Sequence, residues 1–402
     1  MSTPELPTAR HPATQPAPQA AVPDEIFNLA SSTGSAHEPF PDVESIAVLR
    51  GGGIGDLIMA MPAINALAQT YPHADVTLLG MPSHAAILRN RNSCISRVEI
   101  LPVAEGIRPG HGVDPAGLNG FVQAMRKKQF GLGVQLHGGG RFSNPLVAGL
   151  QAAHTVGSRA DGAGPLDRTL YHQYFQHEVL RALEVAALAG ACSTEHRLQW
   201  QATEPELLQA RALLATFSLD PSRERPLVLL HPGAKDPRRR WPTASFATVA
   251  AELVEEGCQL VVVGEKDEWS IVQEVVDRGQ ALLPSRNAHR QLVSLAGAMD
   301  LGTLCGMLAL SSALVANDSG PRHVAQALGV PTASIYWAPN AVNAGPLLRG
   351  RHRMQIAWDT ACPECGAATA GQAVPECGHE SSFVAGVAAD AVLADTLELL
   401  RS

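Results

Sequence analysis

The sequence has no apolar run that approaches the roughly 20 residues needed to cross a bilayer. It also lacks a basic N-terminal stretch followed by an apolar core, so we expect no signal peptide and a cytoplasmic protein. Cysteine is scarce, with seven in 402 residues, which excludes a disulfide-dense scaffold. The 30 basic residues are outnumbered by 38 acidic ones, so we expect no nucleic-acid partner.

The chain is long and 46% hydrophobic, enough for two to three domains at about 150 residues each. Residues 1–42 hold eight of the 29 prolines, separated by small and polar residues. This composition predicts a disordered tail.

After the tail, short β-branched runs alternate with helical patterns, which is typical of parallel sheets. The sequence predicts strands at 45–49, 75–80, 132–136, 227–230, 260–263, 313–316 and 332–336, and helices at 56–70, 203–216, 246–256 and 322–328. We therefore expect two doubly wound α/β domains, at 43–205 and 206–402. Because ligands bind at the carboxyl ends of parallel strands, a single site should lie in the cleft between them.

The first chemical cluster follows the first predicted strand and runs from Arg50 through three glycines to Asp56. Glycines between a strand and a helix let a ligand approach the backbone closely, which makes Gly53 and Gly55 candidates. The spacing does not match a dinucleotide-binding fingerprint. Asp56 is either a base in the cleft or a first-turn carboxylate that the helix dipole favours.

The second cluster, His231 to Pro242, has four cations in six residues: Lys235, Arg238, Arg239 and Arg240. Guanidinium groups suit phosphate, so the cluster predicts an anion site. A solvated basic loop is the alternative, and the costly exposure of Trp241 argues against it.

The third cluster is Asn317 to His323, where Pro321 favours the start of a helix. The N–H groups of Ser319 and Gly320 could then bind phosphate, or Asp318 and Ser319 could serve only as an N-cap. After another predicted strand, Glu265 either binds ribose hydroxyls or belongs to a solvated turn.

The last cluster contains Cys362, Cys365, Cys377 and His379. Three cysteines and a histidine can bind a structural zinc or iron ion, although the spacing is not that of a standard finger. Reduced thiols and a local disulfide are the alternatives.

These clusters resemble glycosyltransferase family 9, the lipopolysaccharide heptosyltransferases. The matching stretches are Ile46–Asp56 with Pro62–Ile64 behind it, His231–Gly233 through Arg240–Pro242, and Asn317–Ala325. The resemblance covers about residues 45–400 and leaves the tail outside. It implies a GT-B fold, two Rossmann-like domains around a cleft. It also implies inverting transfer of heptose from ADP-heptose to a lipopolysaccharide core or other surface glycan, without a catalytic metal.

The resemblance also implies roles for individual residues. Asp56 would deprotonate the acceptor hydroxyl. Arg239 stands where the family usually has lysine and would stabilise the diphosphate leaving group, with Lys235 and Arg240 as substitutes. The remaining donor-site residues would be Glu265 at the ribose, Asp318 and His323 at the sugar, and Ser319 and Gly320 at the diphosphate. Some family members carry a cysteine-ligated metal near the C-terminus.

The acceptor is the least determined partner. We expect its site on N-terminal loops around His137 and Arg141, with peripheral contact at the inner face of the cytoplasmic membrane. Other donors, protein or small-molecule acceptors and a non-catalytic sugar-nucleotide-binding protein remain open. So do a nicotinamide-dependent oxidoreductase and a sugar-nucleotide epimerase.

Overall fold

A computed structural model describes residues 37–89, 91–110, 115–193, 195–196, 199–222, 224–369 and 377–401. Its strands are β1 (Ser45–Leu49), β2 (Asp75–Gly80), β3 (Ile95–Ile100), β4 (Leu132–Gln135), β5 (His154–Arg159), β6 (Arg168–Tyr171), β7 (Leu227–His231), β8 (Gln259–Val262), β9 (Leu292–Ser294), β10 (Ala313–Asn317), β11 (Thr332–Trp337) and β12 (His352–Ala357).

The helices lie between these strands and at the C-terminus. They are α1 (Ile54–Thr70), α2 (Pro82–Leu88), α3 (Pro115–Arg126), α4 (Ser143–Gly149), α5 (Glu178–Leu188), α6 (Glu204–Thr216), α7 (Thr243–Glu255), α8 (Trp269–Leu282), α9 (Arg286–His289), α10 (Leu301–Leu310), α11 (Gly320–Ala327), α12 (Ala338–Ala344) and α13 (Ala389–Arg401). Short 3₁₀ helices lie at Pro237–Arg239 and Lys266–Glu268.

The strands form two six-stranded parallel sheets, in the orders β3-β2-β1-β4-β5-β6 and β12-β11-β10-β7-β8-β9. Read in chain order, both halves have the same arrangement, and it is that of the Rossmann fold. The central strands β1, β4, β7 and β10 are buried at every position except Ser45, which explains their near-continuous apolar sequences. The prediction of two doubly wound units is confirmed.

The strand order reverses between β1 and β4 in the first sheet and between β7 and β10 in the second. In such folds the crevice for a ligand opens beyond the carboxyl ends of the strands at this point. The segments that follow these four strands begin at Arg50, Leu136, Pro232 and Asp318. The topology therefore brings the glycine cluster, the cationic cluster and the 317–323 cluster to the edges that face the cleft.

The predicted element limits are close to the observed ones, with small differences. Helix α7 begins at Thr243 rather than at residue 246, and Gly257 follows it with a φ of +89°, the left-handed conformation that suits glycine there. Helix α11 begins at Gly320, two residues before the predicted start, so Pro321 lies in its first turn.

The disordered tail predicted for residues 1–42 lies mostly outside the described residues and stays a prediction. Residues 37–42 are described, and Phe40 holds them against the first half of the molecule. The Phe40 ring stacks on the His154 ring with centroids 4.1 Å apart. The backbone N–H of Phe40 donates to the Tyr71 hydroxyl at 3.0 Å. A single aromatic side chain anchors this end of a proline-rich segment.

The domain boundary at 205/206 stays a prediction. It falls within α6, which packs on α10.

No helix in the described part of the chain is long and apolar enough to cross a membrane.

Candidate active site

Asp56 lies in the first turn of α1, and two groups from the preceding loop hold its carboxylate. Its Oδ2 accepts the Gly53 N–H at 2.7 Å, which caps the helix, and its Oδ1 accepts from Arg50 Nη2 at 2.8 Å. The side chain is nevertheless 42% exposed. Both interpretations of the sequence are thus compatible with the geometry, because Asp56 caps its helix and still presents oxygen atoms to the cleft.

Arg50 was not singled out as a functional residue in the sequence, yet it is a buried hub of this loop. Its Nη2 also lies 3.2 Å from Glu178 Oε2, its Nε donates to the Asp56 carbonyl at 3.1 Å, and its Nη1 donates to the Leu136 carbonyl. A second arginine, Arg181, pairs with Glu178. The signal available in the sequence was a charged residue placed directly after a buried strand.

The predicted acceptor residues follow β4. His137 Nε2 lies 3.0 Å from the Gly106 carbonyl oxygen, and its ring packs against Gly51 in the glycine cluster. Burial, with Arg50 nearby, lowers the pKa of His137, so the ring is neutral at pH 7. Arg141 is exposed and its guanidinium lies 5.6 Å from the Phe142 ring centroid. The structure brings His137, but not Arg141, into contact with the glycine cluster.

The four cations of the second cluster have different environments. Arg239 Nη1 donates to Asp318 Oδ2 at 3.1 Å, Arg240 Nε donates to the Ala234 carbonyl at 2.9 Å, and Arg238 pairs with Asp236. Lys235 is exposed. Arg239 thus contacts the 317–323 cluster directly, and Arg239 is the residue that the family resemblance assigned to the leaving group.

Trp241 and Asn317 fix this cationic loop to the sheet. Trp241 is 1% exposed, so the sequence argument against a freely solvated loop is confirmed. The backbone N–H of Trp241 donates to Asn317 Oδ1 at 3.1 Å, and Asn317 Nδ2 donates to the Pro232 carbonyl at 2.8 Å. One buried amide thus satisfies a backbone donor and a backbone acceptor of the loop.

Asp318 is 3% exposed and surrounded by donors. Its Oδ2 also accepts from Asn340 Nδ2 at 2.8 Å, and its Oδ1 lies 3.3 Å from His323 Nε2. Burial would raise the pKa of this carboxyl, but His323, Arg239 and Arg322 outweigh burial and hold the pKa well below its usual range. Asp318 is therefore a fixed anion that orients Arg239 and His323.

His323 touches the other half of the molecule. Burial and the adjacent Arg322 lower its pKa, so it is neutral, and because arginine can only donate, His323 Nδ1 accepts from Arg322 at 2.5 Å. A Cβ on Gly55 would lie 2.6 Å from the His323 ring, and one on Gly320 would lie 3.0 Å from Ile54. The first turns of α1 and α11 are therefore packed together, and predicted donor residues Gly55, Gly320 and His323 form this contact.

The acidic cluster after β8 differs from its predicted arrangement. Glu265 is exposed, and its N–H donates to Glu268 Oε2 at 2.9 Å. Glu268 turns inward, where its Oε2 lies 3.4 Å from His231 Nε2 and its carboxylate occupies the space beside Gly233. His231 Nδ1 in turn lies 3.0 Å from Ser319 Oγ. The sequence did not indicate that Glu268 and His231 meet, because only the pairing of β7 with β8 brings the ends of these two strands together.

The Cys/His cluster lies after β12. The ligand atoms of Cys362, Cys365, Cys377 and His379 all lie within 4.8 Å of one another. The N–H groups of Cys365 and Glu364 lower the pKa of the Cys362 thiol to about 6, which favours the thiolate that metals bind. The donor set and its compactness fit a tetrahedral zinc or iron ion.

The chain is similar to known glycosyltransferases in sequence and in fold. A family model described as Glycosyltransferase family 9 (heptosyltransferase) matches residues 119–366. The chain is 26% identical over 321 residues to the lipopolysaccharide heptosyltransferase 2 of Salmonella typhimurium, covering 77% of this chain and 87% of the relative.

Two solved structures share the fold. The glycosyltransferase family 9 protein from Veillonella parvula aligns with a TM-score of 0.70 at 21% identity, over 89% of this chain and 97% of that one. The E. coli ADP-heptose lipopolysaccharide heptosyltransferase II aligns with a TM-score of 0.65 at 20% identity, over 89% and 98%. The chain has a GT-B fold, as expected. It belongs to glycosyltransferase family 9 and is a glycosyltransferase.

Proposed function

We propose that the protein transfers a heptose from ADP-heptose to a hydroxyl group of a lipopolysaccharide core, with inversion at the anomeric carbon and without a catalytic metal. The observation that carries this proposal is the contact of Gly55 with His323, because Gly55 directly precedes Asp56 and His323 Nε2 lies 3.3 Å from Asp318, the partner of Arg239. The names of the family and of the Salmonella and E. coli proteins support the donor and the acceptor class.

Asp56 is our candidate for the general base. A carboxylate that is held at two points and still 42% exposed can accept a proton from an acceptor hydroxyl in the cleft. Such a base contributes roughly 10²–10⁴-fold to the rate. Arg50 acts as a positioning residue, because its guanidinium fixes the carboxylate without access to the cleft.

The leaving diphosphate would be stabilised from the opposite side. Arg239 supplies a guanidinium at the edge of the cleft, and Lys235 and Arg240 lie in the same loop. The N–H groups of Ser319 and Gly320, at the N-terminus of α11, would bind the phosphates together with the helix dipole. Such preorganised donors stabilise the charge that develops as the bond to the sugar breaks.

Other donor contacts follow from position. The exposed Gly53 would let the donor approach the backbone of the loop, and the exposed Glu265 would hold the ribose hydroxyls. Gly55 is buried against the His323 ring, so it would serve the donor site only by allowing this packing. Because Asp318 is buried and paired, we infer that it contributes mainly by orienting Arg239 and His323 at the sugar.

The acceptor would approach from the N-terminal half, past His137 and Arg141. The exposed Arg141 suits an anionic group of a glycolipid. We infer that the protein works in the cytoplasm, with peripheral contact at the membrane that holds such an acceptor.

We further propose that Cys362, Cys365, Cys377 and His379 bind a structural zinc or iron ion, which would cross-link the segment after β12. No step of the transfer passes through this ion, so transfer should persist when free divalent metal is chelated.

The test is transfer from ADP-heptose to a purified lipopolysaccharide inner-core acceptor, with binding of ADP, UDP, GDP and NADH measured by thermal shift. We expect stabilisation by ADP alone. Asp56→Asn should keep ADP binding and lose at least about 10²-fold in transfer. Asp277→Asn, in an exposed position on α8, is the matched control and should remain active.

Retained transfer in Asp56→Asn would remove Asp56 from the role of base. Stabilisation by UDP or GDP would keep the fold and overturn the donor, and stabilisation by NADH alone would favour an oxidoreductase.

A further inference from the structure

Three side chains lie in a row at the carboxyl edge of the second sheet. Glu268 Oε2 lies 3.4 Å from His231 Nε2, and His231 Nδ1 lies 3.0 Å from Ser319 Oγ. His231 is 4% exposed, and the Glu268 side chain is 14% exposed. Ser319 is the N-cap of α11, but its hydroxyl caps no N–H of that helix. Its side chain is engaged by His231 instead.

The charges around His231 come from three neighbouring elements. The 3₁₀ helix Lys266–Glu268 contributes Glu268, next to exposed Glu265, Lys266 and Asp267. The cationic loop contributes Arg240, which acts on Glu268, and the end of β10 contributes Asp318, which is already paired with Arg239. Burial would raise the pKa of Glu268, but its contacts with His231, Arg240 and the Glu265 N–H lower it overall. Glu268 is thus an ionised carboxylate directed at His231.

This arrangement determines which way the serine hydroxyl points. With Glu268 ionised, His231 Nε2 carries a hydrogen and donates to it. In the neutral ring, Nδ1 then has a lone pair and Ser319 must donate to it. The serine oxygen would then present only lone pairs to an incoming phosphate, which is repulsive. In the doubly protonated ring, Nδ1–H donates to Ser319 Oγ and frees the hydroxyl hydrogen.

We propose that His231 takes up a proton when the donor diphosphate binds, so that the Ser319 hydroxyl turns from His231 to a phosphate oxygen, with Glu268 as the counter-ion. This inference rests on the proposed sugar-nucleotide donor. The proton comes from solvent, and no covalent bond forms or breaks. Ser319 is the binding group, and His231 and Glu268 are positioning residues.

The relay would bring a positive charge to the leaving group without exposing it to water. The imidazolium remains buried and paired, while the hydroxyl that it polarises gives a charge-assisted hydrogen bond to the diphosphate. Hydrogen bonds to charged groups are the stronger class, so loss of the hydroxyl should weaken ADP binding roughly tenfold.

Calorimetry with ADP tests the relay. Binding is measured in two buffers of different ionisation enthalpy, at about pH 8, well above the second pKa of a phosphate group at about 6, so that ADP itself exchanges few protons. We expect a net uptake of up to one proton in the wild type. Ser319→Ala and His231→Asn should abolish this uptake, and Ser319→Thr, which keeps a hydroxyl in the same extended backbone, should restore it.

The exposed His73, in the turn after α1, provides the matched control, and His73→Asn should retain the uptake. Binding of ADP without any dependence on the buffer would overturn the relay and leave the proposed donor intact. Uptake that persists in His231→Asn would place the proton elsewhere, for instance at His323, and would also overturn it. Failure of ADP to bind would overturn the proposed donor, and the relay with it.

Discussion

The imidazole ring of His323 packs directly on Gly55, so closely that a Cβ on this glycine would lie 2.6 Å from the ring. Gly55 lies on α1, which follows a strand of the first sheet, and His323 lies on α11, which follows a strand of the second sheet. Beside them, Ile54 touches Gly320 in the same way. The absence of a side chain at Gly55 and at Gly320 is therefore required for the two halves to pack this closely.

Gly55→Ala should destabilise the protein. The added methyl group must displace the buried His323 ring, and overpacking of this kind costs about 1–3 kcal/mol. The free energy of unfolding in urea measures the effect. Gly53→Ala is the matched control, because the nearest atom lies 3.8 Å from its Cβ position. Equal stabilities of the two variants would contradict the interpretation of the contact.

Asn317→Leu should destabilise the cationic loop. Leucine has a similar size but leaves the Trp241 N–H and the Pro232 carbonyl without partners in a buried site, at a cost of roughly 1–3 kcal/mol for each group. We expect a lower melting temperature and weaker ADP binding. Asn287→Leu, in an exposed position on α9, should change neither by much. An unchanged melting temperature in Asn317→Leu would refute this role.

Arg50→Gln should reduce both stability and transfer. The change removes the buried cation that pairs with Asp56 and Glu178. Breaking a buried ion pair costs about 3–5 kcal/mol, and we expect a smaller loss of stability here because Asp56 is partly exposed. Arg50→Lys should recover only part of the loss, since one ammonium group cannot reproduce the forked contacts. Arg211→Gln, at a surface pair 3.8 Å long, is the control. Activity of Arg50→Gln equal to that of Arg211→Gln would show that Asp56 needs no support.

His352 should make stability depend on pH. Burial, then Arg322, Arg351 and Arg353, lower its pKa from 6.5 to about 4. Between pH 6.5 and pH 4 the unfolded chain binds a proton at His352 that the folded chain does not bind. The contribution of His352 to the free energy of unfolding therefore falls as the pH falls from 6.5 to 4. The loss amounts to about 3 kcal/mol at most. Denaturant unfolding at several pH values measures it.

In that series, His352→Asn should flatten the dependence, because the amide oxygen can still accept from the Thr332 hydroxyl but does not titrate. A slope as steep as that of the wild type would assign the effect to other groups.

The Cys/His cluster should contain metal in the purified protein. Cys362→Ser and Cys377→Ser should lower the zinc or iron content measured by mass spectrometry, and lower the melting temperature, because a structural metal stabilises the fold that holds it. Cys192→Ser, at an exposed cysteine outside the cluster, is the control. Protein that is free of metal and equally stable with and without a chelator would contradict the proposed ion.

The sequence predicted seven of the twelve strands, among them β1, β7 and β10, which are buried on both faces and therefore have continuous apolar sequences. It did not predict β3, β5, β6, β9 and β12. The helix starts were also close, since Pro321 and the glycines of the first cluster restrict the backbone locally. The docking of Phe40 was missed because a single aromatic residue gives no periodic signal. Its stacking partner His154 lies more than 100 residues away.

By itself, then, the sequence determined two Rossmann-like halves and the clusters that follow their strands, because burial and backbone geometry act over a few neighbouring residues. The sequence also contains the motifs on which the resemblance to a glycosyltransferase family rests. Only the tertiary structure decided which member of each cluster meets which partner: Arg239 with Asp318, Glu268 rather than Glu265 with His231, and Gly55 with His323. These pairs depend on strand order and on the packing of one half against the other, and residues so far apart in the chain leave no mark on its local pattern.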